Sequence, residues 1–218
     1  MTWTADRRDF MRGLAAFGLA APLVGALAPR ARADAPEVIG ATTRLWPEVG
    51  ARLGDADRSL IVGDHVFKND LLWTGDGGKL QVGLKDGTVL RLGGNAKVAL
   101  DDFVYREDDS TVALVLRSVA GAFRFIGGEI DRQAPGATRI DTPLATLTIR
   151  GTDIFAGPID GAYGVFVFSG EIGVATDAGS VSLKAGDGTT LTSRQTAPGP
   201  VKRWPEAKIK RAEAITGL

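Results

Sequence analysis

Leu80-Gln81-Val82-Gly83-Leu84-Lys85-Asp86-Gly87-Thr88-Val89-Leu90-Arg91-Leu92 decides the fold. Leu80, Val82 and Leu84 alternate with Lys79, Gln81 and Gly83, and the Thr88–Leu92 run resumes the pattern after Asp86-Gly87. Period two is the mark of an extended strand with one buried face, and Asp-Gly between two such runs supplies the positive backbone angles of a tight turn. The same signal recurs outward along the chain. Ala96–Leu100 follows Gly93-Gly94-Asn95, then come Val112, Leu114 and Leu116, then Phe123 and Phe125. Leu147 and Ile149, Val165 and Val167 against Phe166 and Phe168, Ile172 and Val174, and Val181 and Leu183 continue it. These are many short strands joined by turns, so an all-β fold is expected.

The turn residues leave the topology open. Asp76-Gly77-Gly78, Asp86-Gly87, Asp160-Gly161, Asp177-Ala178-Gly179 and Asp187-Gly188 serve equally as hairpin turns or as β-solenoid corners. An echo between Leu80–Leu92 and Ile172–Leu183 is read either as repeated solenoid rungs or as two hairpins that look alike. The expected architecture is therefore β-solenoid-like or sandwich-like, with a short C-terminal helix. That helix is expected over Pro205–Ile215, where proline in the first turn precedes strong helix formers. Its apolar face is thin, so it is either a surface helix packed by Trp204 and Ile209 or a frayed tail. The stretch from Glu37 to Asp57 shows no clear period.

At the N-terminus, Arg7-Arg8 followed by Phe10 and Met11, an Ala/Gly-rich apolar stretch to Ala28, and Ala31-Arg32-Ala33 have the layout of a cleavable export signal. The arginine pair with Phe10 points to twin-arginine translocation. Cleavage is expected after Ala33, with Ala35 as a second possibility. The expected organisation is a signal peptide over 1–33, a lead-in over 34–60, a β domain over 61–193, and a linker with C-terminal helix or tail over 194–218. Removing residues 1–33 leaves 185 of the 218 residues, with 21 basic and 24 acidic, a net charge of −3. Nothing in that balance favours nucleic acid. No other apolar stretch approaches membrane length, so the mature form is expected to be periplasmic and not membrane-spanning.

Chemistry is sparse. With no cysteine and His65 as the single histidine, thiolate sites and the usual zinc constellations are excluded. His65 is expected as an exposed strand or turn residue. No serine sits in a nucleophile-elbow sequence. Asp101-Asp102 and Asp108-Asp109 flank Tyr105-Arg106-Glu107. Their spacing does not match a calcium loop, and a solvated acidic loop is the simpler reading. No catalytic, cofactor-binding or metal residues are expected, and no cofactor.

The motifs carry a family likeness. Gly63-Asp64-His65-Val66, Asp86-Gly87-Thr88-Val89-Leu90-Arg91-Leu92 and Asn95–Asp101 resemble the first half of a FecR domain. Asp141-Thr142-Pro143-Leu144-Ala145, Arg150-Gly151-Thr152 and Val165–Ile172 resemble its second half. The resemblance covers roughly 61–191 and implies a periplasmic β-rich signalling domain. In iron-uptake regulators that domain is the periplasmic part of an anti-sigma factor and contacts a receptor's signalling domain. Here a cleavable signal stands where such regulators have a cytoplasmic segment and a membrane helix, so the transferred role shrinks to binding a periplasmic or envelope protein. Gly63, Asp64, Asp86, Gly87, Arg150, Gly151 and Thr152 are expected to be fold determinants, with Arg150 reaching a neighbouring carboxylate. The leading expectation is a non-enzymatic protein-binding module that offers an open strand edge. The alternative is a carbohydrate- or cell-wall-binding domain using Trp73, Tyr105 and Tyr163 on one face. An enzyme working through Asp101 and Asp102 is the third.

Overall fold

The computed structural model describes residues 35–105 and 112–217. The export-signal residues Arg7, Arg8, Phe10, Ala31 and Ala33, and the pair Asp108-Asp109, lie outside them. Residues 36–218 form one compact unit. Sixteen strands follow in chain order: β1 Val38–Leu45, β2 Val49–Leu53, β3 Ala56–Ser59, β4 His65–Phe67, β5 Leu71–Thr74, β6 Leu80–Leu84, β7 Val89–Leu92, β8 Lys97–Val104, β9 Ala113–Ala120, β10 Phe123–Ile126, β11 Thr138–Asp141, β12 Thr146–Ile159, β13 Ala162–Thr176, β14 Gly179–Lys184, β15 Asp187–Leu191 and β16 Lys202–Arg203. Helix α1 spans Glu129–Gln133 and α2 spans Glu206–Thr216.

All the strands belong to one sheet, which curls into a half-barrel. The path runs β3-β2-β5-β8-β9-β11-β12-β10-β7-β6-β1-β4, with β13, β14, β15 and β16 added beyond β12. The long hairpin β12–β13 joins two wings. The first half of β12 pairs with β11, and its second half pairs with β10. β13 changes neighbour in the same way, from β15 to β14. Every described pairing is antiparallel except β9 with β11. A solenoid stacks parallel rungs, so the solenoid topology is not the one adopted; Asp86-Gly87, Asp160-Gly161 and Asp177-Ala178-Gly179 close hairpins instead, whereas Asp76-Gly77-Gly78 links β5 to β6, which do not pair, and Asp187-Gly188 lies within β15. Asp160-Gly161 joins β12 to β13 with φ of 53° and 76°, the backbone of a two-residue hairpin turn. The echo between Leu80–Leu92 and Ile172–Leu183 is that of two hairpins, β6–β7 and β13–β14.

The inner faces of both wings share one apolar core, which includes Leu72, Leu80, Leu90, Leu100, Leu116, Phe125, Ile140, Leu147 and Ile154. A second, smaller cluster lies on the opposite face of β12 and β13, where Phe155, Phe166 and Ala212 are buried with Trp204 and Ile209 packed against them. This explains why Val165-Phe166-Val167-Phe168 carries no polar alternation: α2 covers the side that would otherwise face water. Trp204 stacks on Phe166 with ring centroids 4.9 Å apart, and Lys79 Nζ donates to the carbonyls of Ala214 and Gly217 at the C-terminal end of α2.

Candidate functional site

The residues that build the sheet's junctions come first. Arg150-Gly151-Thr152 is the bulge at which β12 changes neighbour, with register shifts between Arg150 and Asp153 and again before Ile154. Gly151 has φ of 67° and Gly170 on the facing strand has φ of 81°. A Cβ on Gly170 would run into the Gly151 carbonyl oxygen, so the bulge closes only because that position is bare. Arg150 is exposed and lies opposite Glu171 in register, yet the two form no ion pair. Among the described residues the expected reach of Arg150 to a carboxylate is not made: Glu171 instead accepts the Ser182 hydroxyl at 2.8 Å.

Asp86 and Gly87 sit in the turn between β6 and β7. Asp86 is buried, its Oδ1 accepts the Thr88 N–H at 3.0 Å, and its Oδ2 accepts the Thr88 hydroxyl at 2.7 Å. The Asp86 carbonyl and Oδ2 also accept the N–H groups of Glu129 and Ile130, at 2.7 and 3.5 Å. That turn thus anchors the first turn of α1 from more than forty residues away. Gly63, with φ of 94°, and Asp64 form the link from β3 to β4, where Asp64 Oδ2 accepts the Ile61 N–H at 2.9 Å. Since β3 and β4 end the sheet path, this link joins its two edges. Arg58 ties them further: it pairs with Asp70 at 2.9 and 2.5 Å, donates to the His65 carbonyl at 3.4 Å, and lies 5.0 Å over the Phe67 ring. His65 itself is exposed.

The other candidates do not converge. Asp101 is held by Arg117 through two bonds of 2.9 Å, and Asp102 by Lys68 at 2.6 Å. Both carboxylates are engaged by cations rather than poised as an acid and base pair. Among the described residues, no group of three or more His, Cys, Asp or Glu could hold a metal ion. The three aromatics expected on one sugar-stacking face, Trp73, Tyr105 and Tyr163, are each half-buried. Tyr105 and Tyr163 pack against the main core, and burial pushes the Tyr163 phenol up to about 12. Trp73 is half-buried beside Arg52, Asp57, Leu71 and Lys97, around a cavity of about 330 Å³.

What the fold does display is an open edge. Among the described residues, β14 pairs with β13 on one side and with no other strand. Ala185 N donates to Gly170 O across the pair, whereas Lys184 N turns away to Asp187 Oδ2 at 3.1 Å. Antiparallel alternation then points the N–H and C=O groups of Ser180 and Ser182 toward the open side. Both residues are exposed, and the six-residue strand Gly-Ser-Val-Ser-Leu-Lys contains no proline. Sequence alternation locates this strand, but only the pairing shows that it has one neighbour.

Residues 70–173 match the family model described as FecR protein. No curated protein matches the chain. A crystal structure of a "putative anti-sigma factor" from Parabacteroides distasonis is similar in fold, with TM-score 0.50 and 16% identity over 67% of this chain and 64% of that one. A second crystal structure under the same description, from the same organism, has TM-score 0.46 and 16% identity over 66% of this chain and 63% of that one. The match thus spans less than two thirds of either neighbour's length. Among the described residues, no helix is long and apolar enough to cross a membrane.

Proposed function

We propose that the chain is a non-enzymatic FecR-type binding module of the cell envelope, acting in signalling or its regulation, and that a protein partner docks by adding a strand to β14. The observation that carries this is the edge itself: Ser180 and Ser182 turn their backbone groups away from β13, and among the described residues no strand receives them. Natural sheets blunt such edges with proline, a bulge or a cover, and β14 has no proline and no register shift against β13. A partner strand gains main-chain hydrogen bonds there, while the small Ser180 and Ser182 side chains leave room for its own. The FecR match and the anti-sigma-factor fold neighbour support the regulatory reading. Arg7, Arg8 and Phe10 support export of a folded protein to the periplasm, with cleavage after Ala33 or Ala35. Gly63, Asp64, Asp86, Gly87, Arg150, Gly151 and Thr152 act in this reading as fold determinants that hold the edge in place.

Ser182→Pro tests it. Proline removes the N–H on the open side and leaves the β13 ladder intact, so the domain should still fold. Ser182→Thr keeps the donor and serves as the comparison. Cross-linked capture from envelope extract should recover a discrete partner with the native chain and with Ser182→Thr, and lose it with Ser182→Pro. A partner retained by the proline variant, or no discrete partner at all, sinks the proposal.

A further inference from the structure

The second arrangement that asks for a ligand is on the outer face of the β4–β1–β6–β7–β10 wing. Cross-strand register places Arg44 opposite Gln81, Gln81 opposite Arg91, and Arg91 opposite Arg124. With strands ~4.8 Å apart, the row from Arg44 to Arg124 is about 14 Å long. Leu90 and Leu92 point into the core, so Arg91 points outward. It is not a loose surface arginine. Arg91 Nε donates to Gln81 Oε1 at 2.8 Å, and Gln81 Nε2 donates to Thr43 Oγ1 at 2.9 Å, so the amide that orients the guanidinium is itself held.

The electrostatics are only partly compensated. Like charges directly opposite on neighbouring strands are destabilising. Asp153 neutralises Arg124, but among the described residues neither Nη of Arg91 has a partner and Arg44 has no ion pair. Burial first, then the Arg124 charge and, more weakly, that of Arg44, push the Arg91 guanidinium down from its ordinary value against the opposing pull of Asp153. The arginines around the cavity beyond β9 and β11 differ: Arg117, Arg139 and Arg194 each already hold a carboxylate. A half-buried cation, oriented by its neighbours and left without an anion, costs the fold stability and is suited to a ligand that supplies one.

We propose that Arg91, flanked by Arg44, receives carboxylates from an acidic segment of the protein partner. The free Nη1/Nη2 edge of a guanidinium matches a planar carboxylate through two parallel bonds. The neighbouring pair displays that geometry, since Arg124 holds Asp153 at 2.8 and 2.7 Å. A lipid surface fits less well. Anionic bilayers are held by clusters of roughly four to eight basic residues, whereas this row has three, beside Asp153 and with Glu213 acting on Arg124. The inference rests on the reading of the chain as a protein-binding module but not on β14.

Fluorescence anisotropy of a labelled hexaglutamate peptide against the full chain, at low ionic strength, tests it without the natural partner. The peptide should bind, Arg91→Gln should weaken it about tenfold or more, and Arg44→Gln should weaken it less. Arg139→Gln, on the other wing, should leave it unchanged. Arg91→Gln should also melt no lower than the native chain, because it removes the charge facing Arg124; an arginine kept only for structure would melt lower. The proposal is overturned by absence of peptide binding, by equal losses in Arg91→Gln and Arg139→Gln, or by a lowered melting point. Tighter Arg91-dependent binding of pyrophosphate or of phosphatidylglycerol vesicles also overturns it, in favour of a phosphate ligand. If peptide binding holds while Ser182→Pro retains its partner, the β14 edge alone is wrong.

Discussion

Arg124 on β10 grips Asp153 on β12 through two parallel bonds, Nε to Oδ1 at 2.8 Å and Nη2 to Oδ2 at 2.7 Å. Asp153 is the first residue to pair with β10 after the Arg150–Thr152 bulge, so the ion pair fixes the point at which β12 leaves one wing and enters the other. The Phe168 ring lies 3.9 Å beneath the guanidinium, and the two side chains are only 16% and 18% exposed. At that burial, removing one partner leaves a charge that water screens poorly.

Asp153→Asn should therefore lower unfolding stability by about 2 kcal/mol, because Arg124 would then face Arg91 with no carboxylate to neutralise it. In an Arg91→Gln background the same change should cost less, by about 0.5–1 kcal/mol. Urea denaturation of the four proteins of this cycle measures the difference. Equal costs in both backgrounds would mean that Arg91 does not feel the pair.

The two glycines of the bulge should respond differently. Gly170→Ala meets both a positive φ and the Gly151 carbonyl, and should cost about 3 kcal/mol. Gly151 has no neighbour within 4 Å of an added Cβ, so only its φ of 67° matters there. Asparagine tolerates that angle, and Gly151→Asn should cost under about 1 kcal/mol. Midpoints of chemical denaturation rank the two.

This bulge also shows where the sequence stops being legible. Leu147 and Ile149 alternate cleanly, and so do Val165 and Val167, because each run has one face in the core. Between Arg150 and Asp153 the phase slips, so a single bent strand, β12, reads as unrelated fragments. β1 carries a similar shift between Thr42 and Arg44, and β3 is almost wholly exposed, which is why Glu37–Asp57 shows no period. Helix α1 is five residues long and is anchored by Asp86, a contact no local propensity carries. The turn residues of the FecR-like motifs are legible in the sequence. The open side of β14 and the facing of Arg91 and Arg124 depend on which distant strands pair, and alternation is silent about partners.

Helix α2 depends on one aromatic. Trp204 stacks on Phe166 at 4.9 Å with 23° between the rings and meets Phe155 edge-on at 6.3 Å. Trp204→Ala should cost about 2–3 kcal/mol and release α2 from the sheet. Limited proteolysis should then cut within Glu206–Thr216 while the residues before it stay protected. Lys79→Gln, which removes the donor to the last carbonyls of the helix, should cost less, about 0.5–1 kcal/mol, and leave α2 protected.

Asp131 should make the domain more stable in mild acid than at neutral pH. It is 1% exposed in α1, and among the described residues neither carboxylate oxygen has a hydrogen-bond partner. Burial, reinforced by the nearby Asp86 charge, raises its pKa from 3.8 to about 6, against the opposing influence of Thr138 and Arg132. The folded value thus lies above the unfolded one, so the folded state binds the extra proton. The stability from that proton is fully present below the unfolded pKa of 3.8 and is lost as pH rises through about 6. A tenfold change in proton affinity corresponds to about 1.4 kcal/mol, so the loss between acid and neutral conditions is about 1–3 kcal/mol. Asp131→Asn keeps the shape and removes the titration. It should raise stability at neutral pH by a similar amount and flatten the dependence of unfolding free energy across the window from about pH 4 to pH 7. Denaturation curves of both proteins across that range decide the matter: if the variant is the less stable one at neutral pH, the ionised Asp131 is holding something in the fold.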